Sequence, residues 1–376
     1  MKKICFVATV EYAINVFLLS HLRALSKIYD ITVIVNTNNI NFLAEQGINV
    51  DVIALNIARE ISPIKDLLAF TRLVLIFRQQ RFDAVHSIMP KSGLLAMLAA
   101  YVLRTPLRVH TFTGQVWANK VGFKRFLLKQ FDRFIAALST HNIVDSASQL
   151  QFLLNEKVVT QEKSFVCCSG SIAGVDIDRF KPNNVTRIDI RRQLAISEEV
   201  LIFLFLGRLS KDKGVLDLAQ AFTMLNNNNV HLLFVGPDEQ FMQSKIELLT
   251  QTCSLNIHFV GYASNPESFM AAADVICLPS YREGFGCVII EAATVGIPAV
   301  ASRIYGITDA IVENETGLLH HPNNINEIKL CMELLINKKK LRFELGKKAK
   351  ERATKLFNKD LLTQAWLDFY KSSLHD

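Results

Sequence analysis

Two carboxylates and two cations in the second half of the sequence have the types and spacing for anion and hydroxyl chemistry. Glu283 and Glu291 have seven residues between them. Glu283 lies in the loop Tyr281-Arg282-Glu283-Gly284-Phe285-Gly286, after an apolar strand-like run Val275-Ile276-Cys277-Leu278 and the turn Pro279-Ser280. Glu291 falls about one to two turns into an apolar helix-like run that ends near Gly296 and Pro298. Strand, glycine loop and helix in that order point backbone N–H groups at an anion. A carboxylate on each side suits a ligand with a diphosphate in the middle and hydroxyls at both ends, the form of a nucleotide-sugar. Arg208 and Lys213 flank a second loop, Gly207 to Gly214, which also joins a strand to a helix. Fixed Arg and Lys supply the positive charge that a departing diphosphate needs. The plainer alternative is a buried α/β unit with ordinary loop charges, Glu283 acting as a first-turn dipole partner and Glu291 as a surface residue.

Glu283-Gly284-Phe285-Gly286 followed by Glu291 resembles the E-x7-E motif of the retaining glycosyltransferases of family 4, which have the GT-B fold. Gly207-Arg208-Leu209-Ser210-Lys211-Asp212-Lys213-Gly214 is similar to that family's G-R-L-x-x-x-K-G segment. The resemblance is specific from 206 to 320 and looser before 180. It implies that Arg208 and Lys213 bind the nucleotide diphosphate and that Glu283 contacts the donor sugar. It implies that Gly284, Phe285 and Gly286 line the diphosphate site, the last two through backbone N–H groups, and that Glu291 holds the ribose. Gly207 and Gly236 end strands beside the donor, and Gly261 and Tyr262 lie where the family places its base.

In the first half, His86-Ser87-Ile88-Met89-Pro90-Lys91-Ser92-Gly93 is the sharpest feature. A Lys ahead of a helix N-terminus is a phosphate-binding arrangement and suits a lipid-linked acceptor carrying phosphate or pyrophosphate. It also suits a strand–helix turn with an exposed Lys91. His86, Lys91 and Ser92 are therefore acceptor-binding candidates, with Thr113, Gly114 and Glu11. Many relatives carry His before a Gly where this chain reads Thr111-Phe112-Thr113-Gly114, so Thr113 replaces that His, although His110 is close. Relatives also often have a glycine pair in the first loop, where this chain has Glu11-Tyr12-Ala13. The PKSG and TFTGQVW segments most resemble bacterial enzymes that build surface polysaccharides on polyprenyl carriers.

The elements that must position these groups alternate in type. Strands are expected at Lys3–Val10, Ile31–Val35, Val50–Leu55, Ala84–Ile88 and Leu107–Phe112, and helices at Ala13–Leu25, Ile64–Gln80 and Gly93–Leu103. The pattern restarts at Val200, after a small-residue stretch from Ser169 to Asn184 that reads as a linker. Asp176-Ile177-Asp178 belongs to that linker rather than to a metal site. The fold class is α/β: two doubly wound Rossmann-like domains with a cleft between them. The first, 1–180, binds acceptor. The second, 181–358, binds donor, and the resemblance implies that the terminal helix 359–376 packs back on the first. Ligands of such sheets bind beyond the strand C-terminal ends.

With 376 residues, 50% of them hydrophobic, the chain can build two cores. Seven scattered cysteines without a C-x-x-C read as a reduced, cytosolic protein with no disulfide framework and no zinc site. The N-terminus reads as a first strand rather than a signal peptide, and no run is long enough to span a membrane. Residues 1–180 hold 20 Lys and Arg against 13 Asp and Glu, whereas residues 181–376 hold 22 of each. A basic first half suggests an anionic partner or surface. The run Phe123 to Ile135 is amphipathic and basic. It can lie on an anionic membrane, or bury its phenylalanines and solvate its charged back.

The expected activity is retaining transfer of a sugar, expected to be a UDP-linked hexose or N-acetylhexosamine, to a polyprenyl-diphosphate-linked or other glycan acceptor, by a protein peripheral to the inner face of the cell membrane. No cofactor and no metal are expected, since Arg208 and Lys213 would do a cation's work. A nucleotide-sugar epimerase of the same plan and a non-catalytic sugar-nucleotide-binding subunit are the alternatives. The absence of G-x-G-x-x-G argues against a dehydrogenase, and the absence of an aromatic stacking pattern argues against nucleic-acid binding.

Overall fold

A computed structural model describes residues 1–58, 62–250 and 256–374. Cys253 and the last two residues of the expected terminal helix lie outside the described residues. The chain divides into two compact units, Met1–Gly174 with Lys359–Asp376, and Val175–Asn358.

The first unit runs β1 (Lys3–Ala8), α1 (Glu11–Phe17), α2 (Leu19–Leu25), β2 (Asp30–Val35), β3 (Asp51–Ala54), α3 (Pro63–Gln80), β4 (Ala84–Ile88) and α4 (Pro90–Val102). It continues through β5 (Leu107–Phe112), α5 (Gly122–Leu138), β6 (His141–Val144), α6 (Ala147–Asn155) and β7 (Ser164–Val166). Its seven strands lie in the order β3-β2-β1-β4-β5-β6-β7, all parallel. A sheet covered on both faces needs continuous apolar strands. β1 (KICFVA) and β4 (AVHSI) meet that need, being almost entirely buried. The single helix expected over Ala13–Leu25 is broken at Leu18 into α1 and α2.

The second unit runs α7 (Asn184–Gln193), β8 (Leu201–Leu206), α8 (Val215–Thr223), β9 (Val230–Val235), α9 (Met242–Leu249), β10 (Ile257–Gly261), α10 (Pro266–Ala272) and β11 (Val275–Leu278). It ends with α11 (Cys287–Val295), β12 (Ala299–Ser302), α12 (Ile307–Ala310), β13 (Gly317–His320), α13 (Ile325–Asn337) and α14 (Lys339–Leu356). The strand order is β10-β9-β8-β11-β12-β13, again parallel. α7 starts at the end of the stretch read as linker. Asn183 caps it by accepting the N–H of Thr186 at 3.1 Å. Its Arg191 is buried, donating to Asp274 Oδ2 at 2.7 Å and to the carbonyls of Ala272, Ser197 and Val200. In the stretch before it, Asp176 Oδ1 accepts the N–H groups of Asp178 and Arg179, closing a local turn.

The last helix, α15 (Lys359–Leu374), completes the core of the first unit with Leu362, Trp366, Tyr370 and Leu374. The Trp366 ring stacks on His21 at 4.3 Å and on His86 at 4.8 Å. Burial holds His21 neutral, its pKa lowered to about 4, and lowers that of His86, so two neutral imidazoles stack on the indole. Trp366→Ala is expected to lower the unfolding free energy by about 3–5 kcal/mol, read from urea unfolding. An unchanged midpoint would mean that α15 adds nothing to this core.

Candidate functional site

In the second unit the loops that follow β8, β9 and β11 and the end of β10 are tied to one another at the strand C-terminal ends. Gly207 N donates to Val235 O at 2.9 Å, Gly236 N to Gly261 O at 2.7 Å, and Leu209 N to Pro237 O at 2.9 Å. Tyr281 N donates to Asp212 O at 2.9 Å, joining the β8 loop to the β11 loop. The close approach demands glycine. Gly236 has φ +142°, and a Cβ there would stand 2.0 Å from Gly207 O. Gly214, at φ +67°, would put a Cβ 2.1 Å from Pro279 O.

These ties bring the expected pair together. Lys213 Nζ lies 2.5 Å from Glu283 Oε1, and Ser280 Oγ donates to the same oxygen at 2.7 Å. Both ionic side chains are mostly but not wholly withdrawn from solvent. A hydrogen bond between ionised partners is short and strong, so each group is held where the other can hand it to a ligand. Arg208 leaves the same strand toward the other side. Its exposed guanidinium lies 3.4 Å from Glu239 in the loop after β9. Since β8 stands between β9 and β11, the two cations bracket its end.

α11 begins immediately after Gly286, which occupies its N-cap, and Phe285 is buried against Phe357. Only the backbone of Phe285 is therefore left for a ligand. Glu291 sits one turn into α11, and burial pushes its carboxyl up to about 7, with Arg179 pulling the other way. Gly261 and the exposed Tyr262 lie at the end of β10, the edge strand beside β9. Sequence reasoning missed three supports. Ser280 fixes Glu283, and Asp217 accepts the Tyr281 hydroxyl at 2.7 Å. Arg282 lies 3.7 Å from Asp212. The only signal for them was adjacency to the motif.

The six acceptor candidates of the first unit separate into two groups. Glu11, Lys91, Thr113 and Gly114 are partly exposed at strand ends. Glu11 opens α1 and accepts the Thr37 hydroxyl at 2.7 Å, while Lys91 pairs with Asp66 at 2.7 Å. The Thr113 carbonyl accepts from both Gln115 and Gln149 at 2.7 Å, which fixes the loop after β5. Farther along that loop, Trp117 donates to the buried Asp132 of α5 at 2.7 Å. Burial pushes that carboxyl up to about 7.

His86 and Ser92 do not belong to an exposed site. The His86 ring is buried with Nδ1 bonded to the Tyr370 hydroxyl and Nε2 to Thr111 Oγ1, each at 2.7 Å. Ser92 is buried, with its hydroxyl donating to Ile88 O and accepting from Thr9 Oγ1 at 3.3 Å. Nor does His110 stand in for the missing loop histidine. It is buried beneath α4, bonded to Ser87 Oγ at 2.8 Å, in space left by Gly93, where a Cβ would meet the ring at 2.4 Å. Burial lowers its pKa to about 3. Among the described residues no three His, Cys, Asp or Glu gather as metal ligands.

Two family models match the chain. One, described as "Glycosyl transferases group 1", matches residues 186–352, and the other, "Glycosyl transferase 4-like domain", matches 18–167. The chain is 27% identical over 323 residues to the capsular polysaccharide biosynthesis glycosyltransferase CapM of Staphylococcus aureus, covering 85% of this chain and 84% of that one. It is 27% identical over 278 residues to the UDP-Gal:alpha-D-GlcNAc-diphosphoundecaprenol alpha-1,3-galactosyltransferase of Escherichia coli, covering 72% and 70%. Anabaena HepE, solved with UDP and glucose, superposes with a TM-score of 0.83 at 19% identity, covering 99% of this chain and all of that one.

The loop ties make one sharp expectation. Gly236→Ala should destabilise the second unit by roughly 2–4 kcal/mol, since both the positive φ and the approach to Gly207 O are denied. Urea unfolding would measure it, and a wild-type midpoint would show that the two loops part freely.

Proposed function

The chain belongs to the group 1, or family 4, glycosyltransferases of GT-B fold, and we propose that it moves a sugar with retention from a UDP-linked donor to a lipid-diphosphate-linked or other glycan acceptor. The donor sits on the second unit and the acceptor on the first. The observation that carries this reading is the Lys213–Glu283 pair at the mouth of the β8 and β11 loops. Lys213 and Arg208 take the diphosphate in place of a metal cation, Glu283 takes hydroxyls of the donor sugar, and Glu291 takes the ribose. The bond from the anomeric carbon to the diphosphate oxygen breaks as a bond to the acceptor oxygen forms on the same face. The departing phosphate oxygen keeps the electron pair and receives the acceptor's proton. Positive charge fixed beside that oxygen before the reaction stabilises the transition state more than the ground state.

The relatives' names support the remaining detail. One is a capsular polysaccharide enzyme, and the other moves galactose from UDP onto a diphosphoundecaprenol-linked sugar. A surface-polysaccharide role and a uridine nucleotide follow as the reading for this chain. Family membership favours transfer over an epimerase or a silent binding subunit.

Replacing Lys213 by Ala or Glu283 by Gln should lower the turnover of a UDP-sugar by about 10²–10³-fold, with thermal unfolding little changed. Full activity in both variants would sink the assignment, and inversion at the anomeric carbon of the product would overturn retention.

UDP affinity should also depend on pH. The Glu291 carboxyl loses its proton only near 7, and ribose hydroxyls donate best to the ionised form. Affinity measured by calorimetry should therefore be full near pH 8 and fall, by up to about tenfold per pH unit, as pH drops below 7. Glu291→Gln should bind more weakly at pH 8 and keep only the fall below about pH 6 that protonation of the terminal UDP phosphate causes. A wild type that follows the same pH curve as this variant would remove Glu291 from the nucleotide site.

A further inference from the structure

α3 and α5 pack on either side of α4, and each shows large apolar side chains outward as well as inward. On α5, Phe123, Phe126, Leu127 and Phe134 face outward, Phe123 being 76% exposed. On α3, Ile64, Leu67, Leu68 and Leu75 do the same, Ile64 being 77% exposed. The two sets have the same helical spacing, at the first, fourth, fifth and twelfth positions of the run. In each set three side chains cluster on the first turns and the fourth lies on the same side of the helix two turns on. Three charged groups of α5 turn inward instead. Arg125 and Lys129 hold Glu156 at 2.6 and 2.5 Å, and Asp132 is buried against Trp117.

A soluble protein rarely shows contiguous apolar rows without a partner for them. The charges around the rows say which kind. α3, α4 and α5 contain two carboxylates between them, Asp66 and Asp132. Asp66 pairs with Lys91, and Asp132 is buried. Lys65, Arg72, Arg78 and Lys124 are exposed beside the rows. A second copy docked on this face by a two-fold axis would set cations against cations. An anionic bilayer answers both features, taking apolar side chains at the boundary of headgroups and acyl chains and cations at the phosphates. Between α4 and α5 lies an open groove of about 560 Å³, lined by Leu94, Gln130, Phe131, Arg133 and Phe134, which fluid chains can fill.

We propose that the outward rows of α3 and α5 form one face that seats on an anionic lipid surface. The face is independent of the transferase reading, and its test needs no turnover. The purified full chain is floated with vesicles of phosphatidylcholine alone and of phosphatidylcholine with phosphatidylglycerol. Wild type should rise with the anionic vesicles, and less so as salt is raised. Phe123→Ser with Phe126→Ser, and separately Ile64→Ser with Leu67→Ser, should each lower the bound fraction at least about tenfold. Lys65→Glu with Arg72→Glu should lower it by at least about fivefold per cation. All of these side chains are exposed, so thermal unfolding should match wild type. Wild type that floats with neither vesicle, or variants that bind as wild type does, would overturn the proposal. So would a dimer in sedimentation velocity that these substitutions dissolve, without vesicle binding, since the face would then belong to a second copy.

Discussion

A cation from one loop and a carboxylate from the next meet at 2.5 Å, and they meet because of strand order. β8 and β11 are neighbours in the sheet, yet the chain leaves β8 toward β9 on one side and returns from β11 toward β12 on the other. The loops diverge at that point, and a parallel sheet opens a crevice there. Lys213 comes from the first loop and Glu283 from the second. The first unit has the same reversal between β1 and β4, and there too side chains from the two loops touch, Thr9 to Ser92. In that unit the touching groups are neutral and buried. The same connections also carry Glu11 and Lys91, but these meet Thr37 and Asp66 rather than each other.

Much of the local structure around the second unit's candidate site was legible in the sequence. Val275 to Leu278 is apolar at every position, Pro279 and Gly286 punctuate the loop, and the helix that follows is apolar except for Glu291 and Thr294. Local chemistry specifies each step, so strand, loop and helix fall where expected. The first unit was harder because its decisive partners are distant. His86 lies in a strand whose five residues are all buried, and the Tyr370 that bonds its ring comes 284 residues later. A histidine inside a short buried strand reads the same whether it serves a ligand or a core. Polarity also hid α7, whose charges are neutralised by Asp274 and by carbonyls far along the chain.

α5 shows the same limit from the other side. Its sequence has one apolar and one basic face, and periodicity alone cannot say which turns inward. Glu156 and Trp117 decide it by offering the inner face a carboxylate and an indole N–H. The inner face also steadies the loop that carries Thr113 and Gly114, so the helix that shows its phenylalanines outward is a structural member of the candidate acceptor site.

The stack of His21, Trp366 and His86 has a consequence for biogenesis. A ribosome delivers residues 1–174 first, but the apolar floor under β1 and β4 stays uncovered until α15 has been made. The intervening unit, Val175–Asn358, is contiguous in sequence and emerges whole before then. The half of the molecule that is translated first is therefore the half that matures last. During that interval its nascent core is exposed apolar surface.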